Sequence, residues 1–263
     1  MATRGNRRTT LTALVASGVA DLEPDPDRPR GWTLLIDGVP QSYVDLDDPE
    51  YLAFTYVRQI ARAVRSWSGR SASRVPLKIL HLGGGALTLP RLMARWWPDA
   101  AQKVVEHDPD LISLILREMP PAQPMEISVG DARTVLETEE QQGYAVIIAD
   151  VFSGAAMPGS LATAGFATAA ARALRPDGLL VMNLTDVPPL AFTRTQVATM
   201  RSSFDDVALL GQTGVLKGRR AGNVVLLAGA VPDVRPASDE RLLRSGELVV
   251  FSGGARPRPD GSA

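Results

Sequence analysis

The sequence predicts an α/β protein built on a mainly parallel sheet. Short apolar runs typical of buried strands, such as residues 75–82 and 144–151, alternate with helical segments of ten or more residues. The first of these runs leads directly into three consecutive glycines, residues 83–85. The last two apolar runs, 207–213 and 223–231, have no helix between them. Alternation of this kind indicates βαβ units, and the final pair indicates an antiparallel hairpin at one edge.

Residues 1–48 are predicted to form an N-terminal tail and a small β element. Asp37-Gly38 separates two β-prone runs, a strong hairpin signal. The proline-rich segment 21–31 before the hairpin predicts a loop. The acids and proline of residues 47–50 predict the start of the first helix.

Residues 49–232 are predicted to form a Rossmann-like nucleoside-binding domain, and residues 233–263 a loosely ordered tail rich in charge and proline. The predicted strands of the domain, besides the two final ones, are 75–82, 103–108, 125–131, 144–151 and 179–186. The predicted helices that follow the glycines are 87–97, 109–119, 132–141, 160–174 and 192–204.

Composition excludes several classes of protein. The chain has 263 residues, 45% of them hydrophobic, and a net charge of −1, so no global field favours nucleic acid or an anionic membrane as a partner. It has no cysteine, and its two histidines, His81 and His107, cannot form a zinc site unaided, so no metal is expected. The apolar runs are too short to span a bilayer. We therefore expect a cytoplasmic protein.

The glycines stand where a ligand is expected. In an open parallel sheet, ligands bind outside the carboxyl ends of the strands, where the strand order reverses. Gly83, Gly84 and Gly85 follow the first core strand, so a ligand packed against this turn would collide with any Cβ there. Taken alone, the three glycines are equally well explained as a tight turn between a strand and a helix.

Acidic residues at the ends of the next strands make the pattern more specific. Glu106 lies 21 residues after Gly85, the place of a carboxylate that binds ribose hydroxyls. Asp131 follows the third strand and suits the adenine amino group, and Asp150 follows the fourth. No third glycine completes the dinucleotide fingerprint, since Ala86 and the residues after it replace it. The pattern favours S-adenosylmethionine or a relative over NAD.

The segments that carry these residues resemble the polyamine aminopropyltransferases, the spermidine synthase family, over about residues 33–230. The matching stretches are LIDGVPQSYVDLDDPEYLAFTYV, HLGGGALTLPR, VVEHDPDLI, SVGDAR and IIADVF. The resemblance implies a class I methyltransferase-type fold and a homodimer. It also implies aminopropyl transfer from decarboxylated S-adenosylmethionine to an amine, with release of 5′-methylthioadenosine. By resemblance, Glu106 binds ribose, Asp131 the adenine side, and Gln41 with the glycine loop the rest of the nucleoside.

The chain departs from this family at three acidic positions. The family's G-G-G-D-G loop ends here in Ala86-Leu87, which loses an aspartate. Its Y-x-E stretch corresponds to residues 54–56, which loses the hydroxyl and the glutamate. Its D-S-S-D-P gate corresponds to residues 150–154, which keeps only the first acid. Asp150 therefore remains the expected catalytic residue, the general base for an attacking amine.

These losses leave three functions open. Each missing acid removes a charge-assisted hydrogen bond worth about 1.5–3 kcal/mol, so ordinary putrescine transfer becomes doubtful and the acceptor amine is unknown. Without the aspartate at position 86, intact S-adenosylmethionine is admissible as co-substrate, so a methyltransferase is the first alternative. A non-catalytic protein that retains the nucleoside pocket is the second.

Several polar residues receive structural interpretations. Asp108, directly before a proline, is expected to cap a helix. His81 is expected to be a satisfied core residue, and His107 a neighbour of the nucleoside site without a catalytic role. The basic residues of 217–220 are expected to form a solvated turn.

Overall fold

The computed structural model describes residues 8–68, 77–151 and 157–261, and its first sheet confirms the predicted N-terminal β element. This sheet is antiparallel and four-stranded, in the order β1-β2-β3-β4. Its strands are β1 (Leu11–Val15), β2 (Gly18–Pro24), β3 (Gly31–Ile36) and β4 (Val39–Asp45). Asp37-Gly38 forms the predicted turn between β3 and β4, with positive φ at both residues. The prediction of a loop from residue 21 was wrong, because β2 continues to Pro24 and buries Leu22 completely.

The first helix, α1 (Thr55–Ser68), begins later than predicted. The acids of residues 47–50 form a turn instead of a helix start. The Asp45 carboxylate accepts hydrogen bonds from the amides of Asp47 and Asp48 at 2.9 and 3.2 Å. Arg28 pairs with Asp45 at 2.5 Å and with Asp48 at 3.0 Å. Because these tertiary contacts hold the turn, the acids are not available as helix caps.

The second sheet has eight strands in the order β12-β10-β11-β9-β8-β5-β6-β7 and confirms the Rossmann-like, methyltransferase-type fold class. Its strands are β5 (Lys78–Leu82), β6 (Ala101–Glu106), β7 (Glu126–Val129), β8 (Tyr144–Ala149), β9 (Leu174–Asp186), β10 (Val207–Gln212), β11 (Gly222–Gly229) and β12 (Glu240–Leu243). Strands β5 to β9 run parallel, whereas β10, β11 and β12 are antiparallel to their neighbours. Strands β10 and β11 pair antiparallel as predicted, but a one-turn helix, Thr213–Leu216, lies between them, and β12 covers the outer edge of β10.

Helices cover both faces of this sheet. Those after α1 are α2 (Thr88–Trp96), α3 (Pro109–Glu118), α4 (Ala132–Thr138), α5 (Ala164–Ala173), α6 (Ala191–Met200), α7 (Thr213–Leu216) and α8 (Ser245–Ser252). Helices α1 and α2 pack on one face, and α4, α5, α6 and α8 pack on the other. The order in which successive strands are added to the sheet reverses between β5 and β8. The loops after these two strands therefore flank the crevice in which open α/β sheets bind ligands.

The prediction of a loosely ordered tail from residue 233 was wrong, because β12 and α8 are packed parts of the fold. Glu240 accepts hydrogen bonds from Gln59 and Arg62 of α1, each at 3.0 Å. Leu248 and Phe251 of α8 are buried in the core. The apolar residues of this segment are few, so only tertiary contacts reveal its order. The boundary at residues 48 and 49 between the two predicted domains stays a prediction. No helix within the described ranges is both long and apolar enough to cross a bilayer.

The N-terminal sheet is joined to the α/β core by Asp108, which also caps α3 as predicted. Its carboxylate accepts hydrogen bonds from the amides of Asp110 and Leu111 at 3.0 and 2.9 Å. The Ser17 amide and hydroxyl, in the turn between β1 and β2, donate to the same carboxylate at 2.7 and 2.6 Å. Burial by itself raises the pKa of Asp108, but the bonds from Ser17 and the backbone amides outweigh it and lower the pKa.

Replacing Asp108 by asparagine is expected to lower the free energy of unfolding by at least about 2 kcal/mol at pH 7, because buried donors lose a charged acceptor. An acid whose pKa is lowered by folding stabilises the protein above its unfolded pKa, and this contribution is lost as the pH falls through the folded value. The difference between the variant and the wild type should therefore shrink below about pH 4. Urea unfolding measures both effects. Asp110→Asn, an exposed change in the same helical turn, is the control. Equal losses in the two variants would contradict the prediction.

Candidate functional site

A cavity of about 1050 Å³ lies at the carboxyl ends of the central strands, between them, the N-terminal sheet and α1. Its volume is enough for a nucleoside and a second small substrate. Of the residues predicted from the sequence, those that line the cavity are Gln41, Gly83, Gly84, Gly85, Glu106 and Asp150. The structure thus brings six of the seven predicted positions to one crevice, and Asp131 is the exception.

Two of the three glycines are required by the backbone conformation and packing of the protein itself. Gly83 has a φ of +92°, and a Cβ there would lie 2.1 Å from the carbonyl oxygen of Asp150. Gly85 has a φ of +48°, and its Cβ would lie 2.5 Å from the hydroxyl oxygen of Ser42 in β4. Side chains at these two positions are thus disfavoured before any ligand binds. Of the two explanations that the sequence left open, a ligand and a tight turn, the turn accounts for both positions.

Glu106, at the end of β6, is hydrogen-bonded to the glycine loop. Its Oε2 accepts hydrogen bonds from the amides of Gly84 and Gly85 at 2.9 and 3.3 Å. Its Oε1 accepts from the His107 amide at 2.8 Å and lies 2.9 Å from the His107 ring Nδ1. The Gly85 bond is long and the His107 side chain is exposed, so two ribose hydroxyls can replace these donors while the others hold the carboxylate in place.

Asp131 lies outside the cavity lining. It caps α4 and accepts hydrogen bonds from the amide and the hydroxyl of Thr134 at 2.8 and 3.0 Å. Its side chain is exposed. The predicted contact of Asp131 with the adenine side stays a prediction.

Asp150 follows β8 and is half-buried at the centre of the site. Asn183 of β9 donates to its carboxylate at 2.8 Å. The Tyr56 hydroxyl of α1, which donates to the Gln41 carbonyl at 3.5 Å, lies near the same carboxylate. Burial raises the pKa of Asp150 to about 6, against Asn183 and Tyr56, which favour the ionised form. A carboxylate with such a pKa can accept a proton near neutral pH.

A polar network extends the site beyond Asp150. The side-chain oxygen of Asn183 accepts a hydrogen bond from Asn223 at 3.1 Å, and Asn223 also donates to the Thr185 hydroxyl at 3.0 Å. All three residues line the cavity. These three residues were not predicted as site residues from the sequence. The feature that could have indicated them is the presence of two amides and a hydroxyl in otherwise apolar strands.

Comparison with a solved structure identifies the family. The chain is 32% identical to a probable spermidine synthase from Corynebacterium glutamicum ATCC 13032, over 97% of this chain and 98% of that one, with a TM-score of 0.89. The chain belongs to the spermidine synthase-like family. The resemblance derived from the sequence is therefore confirmed, and with it an aminopropyltransferase-like protein.

More distant members of the family match over less of their length. A curated polyamine aminopropyltransferase from Vibrio vulnificus is 28% identical over 168 residues, which span 62% of this chain but only 53% of that protein. The spermidine synthase of Thermotoga maritima shares the fold, with 16% identity over 87% of this chain and 74% of that one, and a TM-score of 0.58. A spermidine synthase in complex with the transition state analogue AdoDATO has a TM-score of 0.60 and 18% identity. No family model matches the chain.

A tyrosine hydroxyl is present in the cavity of this spermidine synthase-like chain. Residues 54–56 were predicted to lose the family's tyrosine, with Phe54 in its place, but Tyr56 of the same stretch also lines the cavity. Burial, and then the charge of Asp150, raise the pKa of Tyr56 well above its ordinary value. The loss of the family's hydroxyl and glutamate from this stretch stays a prediction. Two residues further on, Arg58 binds backbone carbonyls.

Two buried acceptors in the cavity wall have no partner among the described residues. Gln102 donates its amide to the carbonyl of Pro90 at 3.1 Å, so its oxygen faces Nε2 of His81 at 2.8 Å. His81 then donates through Nε2, and its Nδ1 is one of the two acceptors; the other is the Gln59 side-chain oxygen. Burial lowers the pKa of His81 to about 4, so the ring is neutral. His81 is thus a buried core residue as predicted, but only one of its ring nitrogens is hydrogen-bonded within the described ranges.

The other two departures from the family pattern are at residues 86–87 and in the predicted gate, residues 150–154. The structure describes the first fully and the second in part. Ala86 and Leu87 are fully buried against the N-terminal sheet and α3 and do not line the cavity. Of the predicted gate, Asp150 and Val151 line the cavity, and residues 152–156 lie outside the described residues.

Proposed function

We propose that the chain transfers the aminopropyl group of decarboxylated S-adenosylmethionine to an amine and releases 5′-methylthioadenosine. Membership of the spermidine synthase-like family supports this proposal. The observation that carries it is Asp150, a half-buried carboxylate with a raised pKa of about 6 that shares one cavity with Glu106 and the glycine loop. Such a group is suited to act as the general base for an amine nucleophile.

The reaction requires the removal of one proton. The ionised carboxylate of Asp150, held in place by Asn183, attracts the acceptor's ammonium and takes one proton from it, which frees the nitrogen lone pair. The lone pair forms a bond to the carbon next to the sulfonium, and the carbon–sulfur bond breaks with its electrons going to sulfur. The product nitrogen remains as a secondary ammonium. In this proposal, Glu106 binds the ribose, Asp131 the adenine side, and Gln41 with the glycine loop the remainder of the nucleoside.

A direct assay tests the proposal. Purified protein is incubated with decarboxylated S-adenosylmethionine and a panel of amines, and 5′-methylthioadenosine is measured by liquid chromatography. We expect its release with at least one acceptor, unchanged by EDTA because no metal takes part. If none of the amines supports release of 5′-methylthioadenosine, the proposal is contradicted. Methyl transfer from intact S-adenosylmethionine would then support the methyltransferase, and nucleoside binding without turnover the non-catalytic protein.

Two further properties are proposed from the family resemblance and the composition. The first is a homodimer, for which light scattering should give twice the monomer mass of 28.1 kDa. The second is a cytoplasmic location, in keeping with the absence of cysteine from the sequence.

A further inference from the structure

The end of the cavity beyond Asp150 is poor in acids. Apart from Asp150, the carboxylates among the described lining residues are Asp37 and Glu106. Asp37 accepts the Val19 amide at 2.8 Å in the N-terminal sheet, and Glu106 is bound to the glycine loop. A second ammonium at the far end of an acceptor would therefore find no carboxylate among these residues.

A guanidinium stands at this end of the cavity instead. Arg220, just before β11, lines the cavity together with Gln212, Asn223 and Thr185. Its Nη2 donates to the side-chain oxygen of Gln212 at 2.7 Å. The Gln212 amide nitrogen donates to Asp239 at 2.8 Å, which fixes the orientation of the amide. The sequence analysis assigned Arg220 to a solvated turn. It is exposed, but the structure places it at a substrate cavity.

Most of the hydrogen-bonding capacity of Arg220 is unused. The guanidinium carries five N–H donors, and its one side-chain bond within the described ranges is the bond to Gln212. It makes no ion pair with any described residue, since the nearest acid in its network, Asp239, is separated from it by the Gln212 amide. A planar donor group of this kind matches the two oxygens of a carboxylate.

A series of contacts connects Arg220 to the catalytic centre. Arg220 precedes Asn223 by three residues. Asn223 is bonded to Asn183, which is bonded to Asp150. Because Arg220 and Asp150 line the same cavity, an acceptor with an amine at one end and an anion at the other can contact both.

We propose that the acceptor is an amine that carries an anionic group, and that Arg220 binds this group while the amine lies at Asp150. This inference rests on the proposed aminopropyl transfer and names the class of its acceptor. The cation repels the second ammonium of a diamine and attracts a carboxylate at the same position. Arg220 therefore determines specificity, and Gln212 positions it.

Calorimetry on the complex with 5′-methylthioadenosine tests this proposal without requiring turnover. The protein, saturated with the nucleoside, is titrated with 4-aminobutyrate and 5-aminopentanoate and, for comparison, with putrescine and cadaverine. We expect the amino acids to bind at least about tenfold more tightly than the diamines. Arg220→Ala should remove this preference, and Arg220→Glu should reverse it. Arg219→Ala is the matched control, because Arg219 is exposed but does not line the cavity.

The outcomes separate this inference from the proposed function. Tighter binding of diamines, or a preference that survives in Arg220→Ala, overturns the role of Arg220 while aminopropyl transfer can still be measured. Absence of 5′-methylthioadenosine release with every acceptor contradicts the proposed function, whatever the binding preference. A tenfold loss of affinity for intact S-adenosylmethionine in Arg220→Ala, with acceptor binding unchanged, would assign the carboxylate to the donor and overturn the proposal.

Discussion

Replacing Asp150 by asparagine is expected to lower kcat for methylthioadenosine release by about 10²–10⁴-fold, the usual contribution of a general base. Asparagine has nearly the same shape and still accepts the hydrogen bond from Asn183, but it cannot take a proton from the acceptor nitrogen. Steady-state kinetics at saturating donor and acceptor measure the effect. The Asn183 and Tyr56 contacts predict that the local structure persists, so circular dichroism should be unchanged.

The pH dependence of the wild type should identify the same group. Burial raises the pKa of Asp150 to about 6, so kcat/KM should increase as the pH rises through this value and the base ionises. Tyr56→Phe removes a hydroxyl that lowers the pKa of Asp150, so the rise of kcat/KM should move to higher pH in this variant. In Asp150→Asn this rise should disappear. A rise that persists there would assign the base to another residue.

The stability of Asp150→Asn distinguishes catalysis from folding. The raised pKa means that the folded state binds the proton more tightly than the unfolded state between the ordinary value of 3.8 and about 6. The free energy of unfolding therefore falls as the pH rises across this window, and the buried charge destabilises the wild type at pH 7. We expect the variant to be at least as stable as the wild type in urea at pH 7. A variant that is both inactive and unstable would indicate a structural role.

Replacing Glu106 by glutamine is expected to weaken the binding of 5′-methylthioadenosine by about 100-fold or more. The carboxylate can accept both ribose hydroxyls, and each charge-assisted hydrogen bond is worth about 1.5–3 kcal/mol. Glutamine offers only one acceptor oxygen and places an NH₂ group against the donors of the glycine loop. Calorimetry with the nucleoside measures the loss.

Glu118→Gln is the matched control for this change, since Glu118 is an exposed residue of α3 away from the cavity. It removes the same charge and should leave nucleoside affinity unchanged. Equal affinities in the two variants would show that Glu106 does not bind ribose. Urea unfolding of the nucleoside-free variant separates weakened binding from a loosened glycine loop.

The parts of the fold that depend on local pattern were predictable from the sequence. The Asp37-Gly38 hairpin follows from turn chemistry, and the alternation of strands and helices follows from apolar periodicity. The start of α1 was not predictable, because Arg28 and Asp45 recruit the acids of residues 47–50 into a tertiary turn. The order of the C-terminal segment depends on contacts between Glu240 and α1, which no local pattern shows.

The site residues that directly follow parallel strands were predictable from the sequence, because the ends of those strands determine where they lie. Glu106 and Asp150 end neighbouring parallel strands, so their convergence on the glycine loop follows from topology. Asp131 follows the same rule, but its carboxylate is bound to Thr134 as a helix cap. Arg220 was not predicted as a cavity residue. Its position just before β11 depends on the pairing of β11 with β9, a strand that lies well before it in the sequence.

The contact between Ser42 and the glycine loop has a consequence for recombining homologues. The Ser42 hydroxyl accepts a hydrogen bond from the Ala86 amide at 3.2 Å and occupies the space that a side chain at position 85 would need. A side chain at position 85 therefore requires a residue at position 42 that leaves this space free. A chimera that combined the first 45 residues of one homologue with the core of another would keep its cavity only if both positions came from compatible parents.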